Sequence, residues 1–548
     1  MMENVNNSGN EAGLGHIGRY EQSLLDKNTF SVTWELVPGR GALEKTQEAV
    51  IAAAERAAKG AKVHALTITD NPGGNPALSA EMLGIEINRL GIEPLVHLTC
   101  KDKNRNELES LLYGLERAGV RNLLAMTGDA PKSGYLGTPK PVFDLDPVTL
   151  ISLISELNKG RVVPTAKGTS TLKPAHFFPG AVVSPFKALE AEQMGQYYKL
   201  KKKLDAGAKF IVSQLGFDAR KFHELLLVVR LLGFGHVPVV GNIYLLSSGA
   251  AKLMNSNGLP GCVVEDKLLA IVQQEAAAPD KGKSKRLERA AKMYAFMKGM
   301  GFAGVHLAGN AMSYDDVEFV IGRGEELVPN WLDLVHEFDF PQKNGWYYFE
   351  NDKESGLNAA IAADRSQRTQ AGIAYQMFRL LHRVMFDKRG FLFAPMQSLA
   401  RSVDGSPLEK TFTKFEGVIK GLTNDCLHCG DCAMFDTAYL CPQSQCAKNQ
   451  RNGPCGGSHD GWCEQFPEKR KCIYVRAYDL LKSHGAEELL GATPVPPLNY
   501  DLNQTSSWIN FYLGRDHSSQ ALGISPVEPA KEASAPAQAP STKGPRSC

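Results

Sequence analysis

Eight short apolar runs rich in β-branched residues recur between residues 30 and 309, with helical segments in the gaps, and this alternation limits the fold more than any other feature. Strands joined through helices run parallel, and runs that are apolar on both faces are typical of a parallel sheet covered by helices. Eight such units over about 300 residues match a (βα)8 TIM barrel in number and size, with a doubly wound sheet as the alternative. The runs are FSVTWELVP from residue 30, KVHALTITD from 62, EPLVHLTC from 93, RNLLAMTGD from 121, FFPGAVVSP from 177, KFIVSQLGFD from 209, VPVVGNIYLL from 237 and GFAGVHLAG from 301.

The segments between the runs have the pattern of amphipathic helices. LEKTQEAVIAAAERAAKG follows the first run and NELESLLYGLERAG the third, each with apolar residues at i, i+3 and i+4 and a closing glycine. In a barrel of this kind the active site lies at the carboxyl ends of the strands. The polar residues that end the runs are therefore the candidates for function: Glu35, Thr69, Asp70, His97, Thr99, Gly128, Asp129, Ser184 and Gln214.

A second feature is a window that holds eight of the eleven cysteines and opens with CLHCGDC. Thiolates at this spacing ligate a metal or an iron–sulfur cluster more readily than they form disulfides in a cytosolic protein. The start has the spacing of a [4Fe–4S] ferredoxin motif, although the following Cys-Pro comes nine residues on, and four thiolates could instead hold zinc. The predicted ligands are Cys426, Cys429, Cys432, Cys441, Cys446, Cys455, Cys463 and Cys472.

Composition narrows the class of protein. The net charge of +2 and the charged fraction of 22% do not suggest a nucleic-acid partner, and no apolar run reaches the length of a membrane helix. We expect a cytoplasmic enzyme that acts on a small molecule. The polar opening and the Pro/Ala/Ser-rich end predict disordered tails. The expected parts are a tail over 1–28, the barrel over 29–330, a helical connector over 331–420, a Cys-rich module over 421–500 and a mostly disordered tail over 501–548.

Three segments carry side chains suited to catalysis or binding. Glu35 ends an apolar strand, where desolvation raises a carboxyl pKa and makes the group a general acid; a pairing with Arg40 is the alternative. The Gly-Asp of TGDAPKSGY brings backbone close to a ligand, or forms a turn or helix cap. KLKKKLDAGA places three lysines, at 199, 202 and 203, on one helix face, which suits a phosphate-bearing cofactor or simply solvent.

In order and spacing these segments resemble the methylenetetrahydrofolate reductase family over residues 29–330. The matching segments are TWELVPGRG, LTITDNPGG, PLVHLTCKDKNR, LLAMTGDAPKSGY, KLKKKLDAGAKFIVSQLGFD and VPVVGNIYLLSS. The resemblance implies an enzyme that interconverts 5,10-methylenetetrahydrofolate and 5-methyltetrahydrofolate by hydride transfer through flavin N5. It leaves open whether the flavin is FAD or FMN and whether NADH, NADPH or a ferredoxin-like protein is the electron donor.

The resemblance also implies roles for individual residues. Glu35 is similar to the acid that protonates folate N10, Asp129 to the aspartate beside flavin and pterin, and Gln214 to a substrate-binding glutamine. The predicted cofactor-binding residues are Thr69, Asp70, His97, Thr127, Gly128, Asp129, Asp144, Lys199, Lys202 and Lys203.

The cysteine window resembles the carboxyl-terminal domain of some bacterial reductases of this class and of a partner subunit in acetogens. That domain is associated with an iron–sulfur cluster or zinc, and we favour the cluster because an electron relay suits a flavin enzyme. The sequence thus predicts a reductase that binds folate and forms a homo-oligomer, with a redox partner protein as one of the open sources of electrons. The alternatives are an accessory electron-transfer protein and a reductase-like enzyme acting on another one-carbon carrier.

Overall fold

The structure is a computed structural model that describes residues 17–309 and 312–527. The chain forms two compact units. The first comprises Met1–Gln370 with Cys446–Pro497, and the second comprises Ala371–Gln445 with Leu498–Cys548. The predicted Cys-rich module over 421–500 is therefore not a compact body of its own, because its two halves belong to different units.

A closed barrel of eight parallel strands forms the centre of the first unit. The strands of the chain are β1 (Ser31–Leu36), β2 (Ala65–Ile68), β3 (Glu93–Thr99), β4 (Asn122–Met126), β5 (Val162–Thr165), β6 (Gly168–Thr171), β7 (Phe178–Val183), β8 (Phe210–Ser213), β9 (Val239–Tyr244), β10 (Gly304–Ala308), β11 (Phe349–Asp352), β12 (Leu357–Ala362), β13 (Trp462–Cys463) and β14 (Phe466–Lys471). The order around the barrel is β1-β10-β9-β8-β7-β4-β3-β2. All eight predicted strands are confirmed, and so is the barrel. Three antiparallel pairs in the same unit were not predicted: β5–β6, between two barrel strands in the sequence, β11–β12, in the expected helical connector, and β13–β14, in the cysteine window.

The helices follow the predicted alternation through the barrel. Local sequence fixes their ends: Asp146, for example, caps the fifth helix by accepting from the backbone N–H groups of Val148 and Thr149. The helices are α1 (Arg19–Leu25), α2 (Lys45–Gly60), α3 (Ala80–Arg89), α4 (Arg105–Arg117), α5 (Pro147–Lys159), α6 (Glu190–Asp205), α7 (Ala219–Leu231), α8 (Ser248–Asn255), α9 (Asp266–Glu275), α10 (Lys283–Met300), α11 (Tyr314–Leu327), α12 (Trp331–Val335), α13 (Ile373–Leu381), α14 (Phe393–Val403), α15 (Glu409–Asn424), α16 (Pro442–Gln445), α17 (Ile473–Lys482), α18 (Ser507–Tyr512) and α19 (His517–Ala521).

Helix α1 packs against the end of the barrel at which the strands begin. Tyr20 is fully buried, and its ring contacts Phe178 and Phe210 edge-on at centroid distances of 6.4 and 5.6 Å. Glu93, the first residue of β3, accepts a hydrogen bond from the Tyr20 backbone N–H at 3.1 Å. The disordered tail predicted over 1–28 is therefore wrong for the helical part, while residues 1–16 lie outside the described part of the chain.

The second unit is helical and has its own aromatic core. Phe386, Phe393, Phe511 and Tyr512 are buried in it, and the rings of Phe386 and Tyr512 stack at 5.6 Å. Because α18 and Ile524 supply part of this core and α19 lies between them, the mostly disordered tail predicted over 501–548 is wrong up to residue 527. Residues 528–548 lie outside the described part. Within the described ranges, no helix is both long enough and apolar enough to span a membrane.

Candidate functional site

A cavity of about 470 Å³ lies at the carboxyl ends of the barrel strands and is lined only by residues of the first unit. We call it the barrel cavity. The three residues on which the functional prediction depends most, Glu35, Asp129 and Gln214, all line it. Of the other predicted residues, those that line the cavity are Thr69, Asp70, His97, Thr127, Gly128 and Lys203, whereas Asp144, Lys199 and Lys202 do not.

Glu35 faces a histidine that the sequence analysis missed. His306 lies on β10, the neighbour of β1, and its Nε2 is 3.6 Å from Glu35 Oε2. The other ring nitrogen, Nδ1, is 2.9 Å from Thr33 Oγ1, which holds the ring in this orientation. The only signal in the sequence was a histidine inside an apolar strand. Arg40, the alternative partner of Glu35, donates to Ser133 Oγ at 2.7 Å instead.

The electrostatics of Glu35 differ from the prediction. Burial by itself raises the pKa of Glu35, but the nearby imidazole of His306, together with the charge of His97, lowers it below the ordinary value of 4.5. The raised pKa expected from the sequence is therefore wrong, because the linear pattern did not show the imidazole on β10. Glu35 is a carboxylate at neutral pH in this environment, with His306 placed as a proton donor to it.

Five buried polar atoms at the barrel cavity have no hydrogen-bond partner among the described residues: Thr69 Oγ1, His97 Nε2, Ser184 Oγ, Gln196 Nε2 and Asn242 Oδ1. A buried polar atom without a partner is costly, so their concentration here is typical of a binding site. Burial lowers the pKa of His97 to about 4, so the imidazole is neutral at pH 7. Such a mixture of donors and acceptors fits the polar edge of a flavin or pterin ring.

Two of the predicted residues shape the cavity through the backbone. Asp70 accepts hydrogen bonds from the Thr99 backbone N–H at 3.1 Å and from Thr99 Oγ1 at 2.6 Å, and pairs with Lys103 at 3.2 Å. It thereby fixes the end of β3. Gly128 has φ +82°, and a Cβ there would lie 2.8 Å from the Thr99 Cβ, so the loop that carries Asp129 requires glycine.

Asp144 serves another purpose in the structure. Its two oxygens accept from Arg105 Nε at 2.8 Å and from Arg105 Nη2 at 2.7 Å, at the start of α4. Burial alone raises the pKa of Asp144, but these hydrogen bonds lower it overall. This bidentate pair anchors a helix, and the cofactor-binding role of Asp144 remains a prediction.

A chain segment from the cysteine window forms part of the cavity wall. We call residues 446–464 the wall segment; it belongs to the same compact unit as the barrel. Lys448, Cys455 and Glu464 line the barrel cavity, as do Pro454, Gly456 and Gly457. Lys448 forms an ion pair with Glu464 and donates to the Gly128 carbonyl oxygen at 2.9 Å. This arrangement could not be predicted from the sequence because the two segments are more than 300 residues apart.

The eight cysteines separate into two quartets, and none of them is in a disulfide. Cys426, Cys429, Cys432 and Cys441 belong to the second unit and line one small cavity there. We call these the first quartet. The second quartet belongs to the first unit and consists of Cys446, Cys455, Cys463 and Cys472. In the described ranges no group of three or more His, Cys, Asp or Glu side chains has an arrangement that could hold a metal ion.

Electrostatics links the four members of the second quartet, since the charge of Cys463 also raises the pKa of Cys446. Burial raises the pKa of the Cys472 thiol, and the charges of Cys455 and Cys446 raise it further. Burial, Glu464 and Cys446 raise the pKa of Cys455 to about 12. A cationic centre would lower the pKa values of these thiols, since it favours the thiolate form.

The fold and the cavity define a barrel protein whose acidic and amide side chains meet at the carboxyl ends of the strands. The model of the methylenetetrahydrofolate reductase family matches residues 19–314, which is more than half of the chain. The chain therefore belongs to the methylenetetrahydrofolate reductase family. A second model, described as the methylene-tetrahydrofolate reductase C terminal, matches residues 406–501.

Curated relatives agree with this assignment. Methylenetetrahydrofolate reductase 2 of Saccharomyces cerevisiae is 28% identical over 190 residues, which cover 34% of this chain and 30% of the relative. The 5,10-methylenetetrahydrofolate reductase of Pectobacterium carotovorum is 29% identical over 134 residues, which cover 24% of this chain and 38% of the relative. The 5,10-methylenetetrahydrofolate reductase of Escherichia coli is 27% identical over 162 residues, which cover 29% of this chain and 47% of the relative. The chain thus spans less than half the length of each of these relatives.

Among solved structures, an uncharacterized protein from Clostridium thermocellum that binds two copies of 5-methyl-5,6,7,8-tetrahydrofolic acid matches with a TM-score of 0.39 and 10% identity. The match covers 57% of this chain and 99% of that protein. A likeness of this degree carries no conclusion about what the present chain binds.

Proposed function

We propose that this protein is a flavin-dependent methylenetetrahydrofolate reductase that interconverts 5,10-methylenetetrahydrofolate and 5-methyltetrahydrofolate. The observation that supports this most is that Glu35, Asp129 and Gln214, which lie far apart in the sequence, line a single cavity at the carboxyl ends of the strands. Membership of the family makes this reaction the natural one for such a cavity.

The barrel cavity has the chemistry that such a ligand pair needs. Its unpartnered atoms, among them His97 Nε2 and Thr69 Oγ1, suit the edge of a flavin ring, and Asn242 and Gln214 suit the amide-like edge of a pterin. When bound, the flavin supplies the hydride, and the protein orients the two rings and moves one proton.

Glu35 is the proposed acid, and His306 supplies it with the proton. Because the pKa of Glu35 is lowered in the cavity, the carboxylate must be protonated before it can act on folate. His306 Nε2, at 3.6 Å, is the titratable group placed to do so. The role of Asp129 in tuning both rings remains a proposal, supported by its exposure at the cavity.

We further propose that the two cysteine quartets bind iron–sulfur clusters, with zinc as the alternative. Four cysteines line one small cavity in the second unit, and they would supply the four thiolates that a [4Fe–4S] centre needs. In the first unit, Cys455 lies in the wall of the barrel cavity, so a cluster on the second quartet would be beside the proposed flavin. This position favours a relay of electrons to the flavin over a purely structural metal.

The alternative function is an accessory electron-transfer protein that lacks folate chemistry. The cysteine in the cavity wall is the feature that favours it. Reduction of the bound flavin by 5-methyltetrahydrofolate alone, followed as bleaching of the flavin absorbance, distinguishes the two functions. A cytoplasmic location, a homo-oligomeric state and an electron donor such as NADH, NADPH or a ferredoxin-like protein remain predictions.

The substitution Glu35→Gln tests the proposed chemistry. Glutamine keeps the size and polarity of the side chain but cannot deliver the proton, so we expect folate turnover to fall by roughly 10²- to 10⁴-fold. Reduction of the flavin by an artificial donor should be unchanged. Both rates are measured by stopped-flow absorbance.

Glu44→Gln is the matched control, since Glu44 follows the same strand but is exposed and does not line the cavity. It should turn over folate at the wild-type rate. Loss of bound flavin in Glu35→Gln, or full activity of that variant, would contradict the role assigned to Glu35.

A further inference from the structure

The wall segment covers Lys199, on the helix face whose lysines were predicted to hold the phosphate of the cofactor. We infer that the barrel cavity takes a flavin mononucleotide, FMN, rather than FAD. This inference rests on the proposed function, because it specifies the flavin of the same cavity. It follows from four observations: the hydrogen bonds of Lys199, the close packing of the wall segment on α6, the further attachments of that segment to the barrel, and the charge of the cavity.

Lys199 was the first of the lysines predicted to hold phosphate, and its ammonium group is already bonded. Its Nζ donates to Gln450 Oε1 at 2.7 Å, to the Gly453 carbonyl oxygen at 3.1 Å and to the Pro454 carbonyl oxygen at 3.2 Å. An ammonium group has three N–H donors, so these acceptors use all of them. A phosphate could reach Lys199 only by displacing the wall segment.

Two glycines show how closely the wall segment lies on α6. A Cβ on Gly453, which has φ +132°, would lie 2.8 Å from the Lys199 Cβ. A Cβ on Gly195, one helical turn before Lys199, would lie 3.1 Å from Pro454 Cγ. Because backbone meets helix at van der Waals distance, no layer remains between them for a diphosphate.

Other side chains attach the wall segment to the barrel. Asn452 donates from its backbone N–H and its Nδ2 to Asp146 Oδ2, at 3.0 and 2.9 Å. Lys187 Nζ donates to the carbonyl oxygens of Gly456 and Ser458 at 2.6 and 2.5 Å. Lys187, Asp146 and Asn452 are all buried. Because these polar contacts are buried and hydrogen-bonded, they hold the wall segment in place as part of the fold.

The charge of the cavity also disfavours a diphosphate. Four carboxylates line it, those of Glu35, Asp70, Asp129 and Glu464, against two lysines, Lys203 and Lys448. Lys448 is paired with Glu464, and Lys203 donates to the Val182 carbonyl oxygen at 2.5 Å. Asp70 is paired with Lys103 in the same way, so none of these lysines is available to a diphosphate inside the cavity. The single phosphate of FMN, at the end of the ribityl chain, can remain at the opening in contact with water.

The test identifies the flavin and compares the affinities of FMN and FAD. Flavin released by denaturing the full-length protein, purified without added flavin, is separated by chromatography, and we expect FMN. The flavin-free protein is then titrated with FMN and with FAD while flavin fluorescence is recorded. We expect FMN to bind at least about tenfold more tightly, which corresponds to the loss of a compatible phosphate site.

Loosening the wall segment should change this preference. In Gln450→Ala the shortest of the three hydrogen bonds of Lys199 is lost, so the ratio of FAD to FMN dissociation constants should move towards one. Lys469→Ala is the matched control, since Lys469 lies on β14 near the segment but is exposed. It should keep the wild-type ratio. The comparison on the unchanged protein decides the question if Gln450→Ala fails to fold.

The outcomes separate this inference from the function it specifies. Release of FAD, or equal or tighter binding of FAD, overturns the inference and leaves the reductase proposal standing. Binding of neither flavin overturns both. Tight binding of FMN without reduction by 5-methyltetrahydrofolate supports the inference and contradicts the reductase.

Discussion

At the scale of single residues, His306 controls the protonation of Glu35. Its imidazole, 3.6 Å from the Glu35 carboxylate, and the charge of His97 lower the pKa of Glu35 against the effect of burial. In His306→Gln the charge is lost and burial is less opposed, so the pKa of Glu35 should rise. The pKa is measured from the carboxyl signal of Glu35 by infrared difference spectroscopy, with Glu35→Gln to assign the band. An unchanged pKa would show that His306 does not set it.

His97 makes stability depend on pH. Burial lowers the pKa of His97 from 6.5 to about 4, so between these values the unfolded chain binds a proton that the folded chain excludes. Above pH 6.5 the burial of His97 does not reduce the free energy of unfolding. As the pH falls from 6.5 towards 4, the free energy of unfolding decreases by on the order of 3 kcal/mol, because protonation favours the unfolded chain. In His97→Gln the free energy of unfolding should therefore fall less between pH 7 and pH 4, as measured by urea unfolding.

The control for this prediction is His236→Gln, because His236 is exposed. It should retain the wild-type dependence on pH, which also contains the contributions of the carboxylates. An equal loss of stability on acidification in the His97 variant and in the wild type would mean that His97 is protonated in the folded protein.

At the scale of elements, α1 packs against the end of the barrel at which the strands begin and closes that end. Tyr20→Ala removes a fully buried ring that contacts Phe178 and Phe210, and should lower the free energy of unfolding by about 3 kcal/mol. The change is measured as a lower midpoint of thermal unfolding. Tyr135→Ala, at a tyrosine that is 93% exposed, should leave the midpoint unchanged. A midpoint equally unaffected in Tyr20→Ala would show that the helix does not stabilise the barrel.

The sequence was sufficient for elements whose pattern is local and regular. The eight strands and their parallel order could be predicted because each run is apolar on both faces and is followed by an amphipathic helix. Helix α1 could not, since its seven residues carry only a short apolar pattern beside a polar tail. The pair β5–β6 is almost wholly exposed and therefore has no burial pattern to recognise.

The same reasoning explains the site. Strand-end residues such as Glu35 and Gln214 could be predicted because parallel strands end on the same side of a barrel. The partner of Glu35 and the cover over Lys199 could not, because both depend on contacts between distant parts of the chain. The spacing of the lysines on α6 correctly predicted a helix. It could not show that the wall segment packs over Lys199, because that contact depends on the tertiary fold.

At the scale of the whole molecule, the division of the cysteines between two compact units makes the proposed metal centres separable. Cys429→Ser removes a ligand of the first quartet and Cys455→Ser one of the second, so each should lose about half of the bound iron or zinc. Metal is measured by elemental analysis of anaerobically purified protein, and cluster type by its electron paramagnetic resonance. Cys262→Ser, at a buried cysteine outside both quartets, should retain all the metal. Complete loss from either single substitution would mean that the eight cysteines form one interdependent centre, and no loss from either would remove the quartets as metal sites.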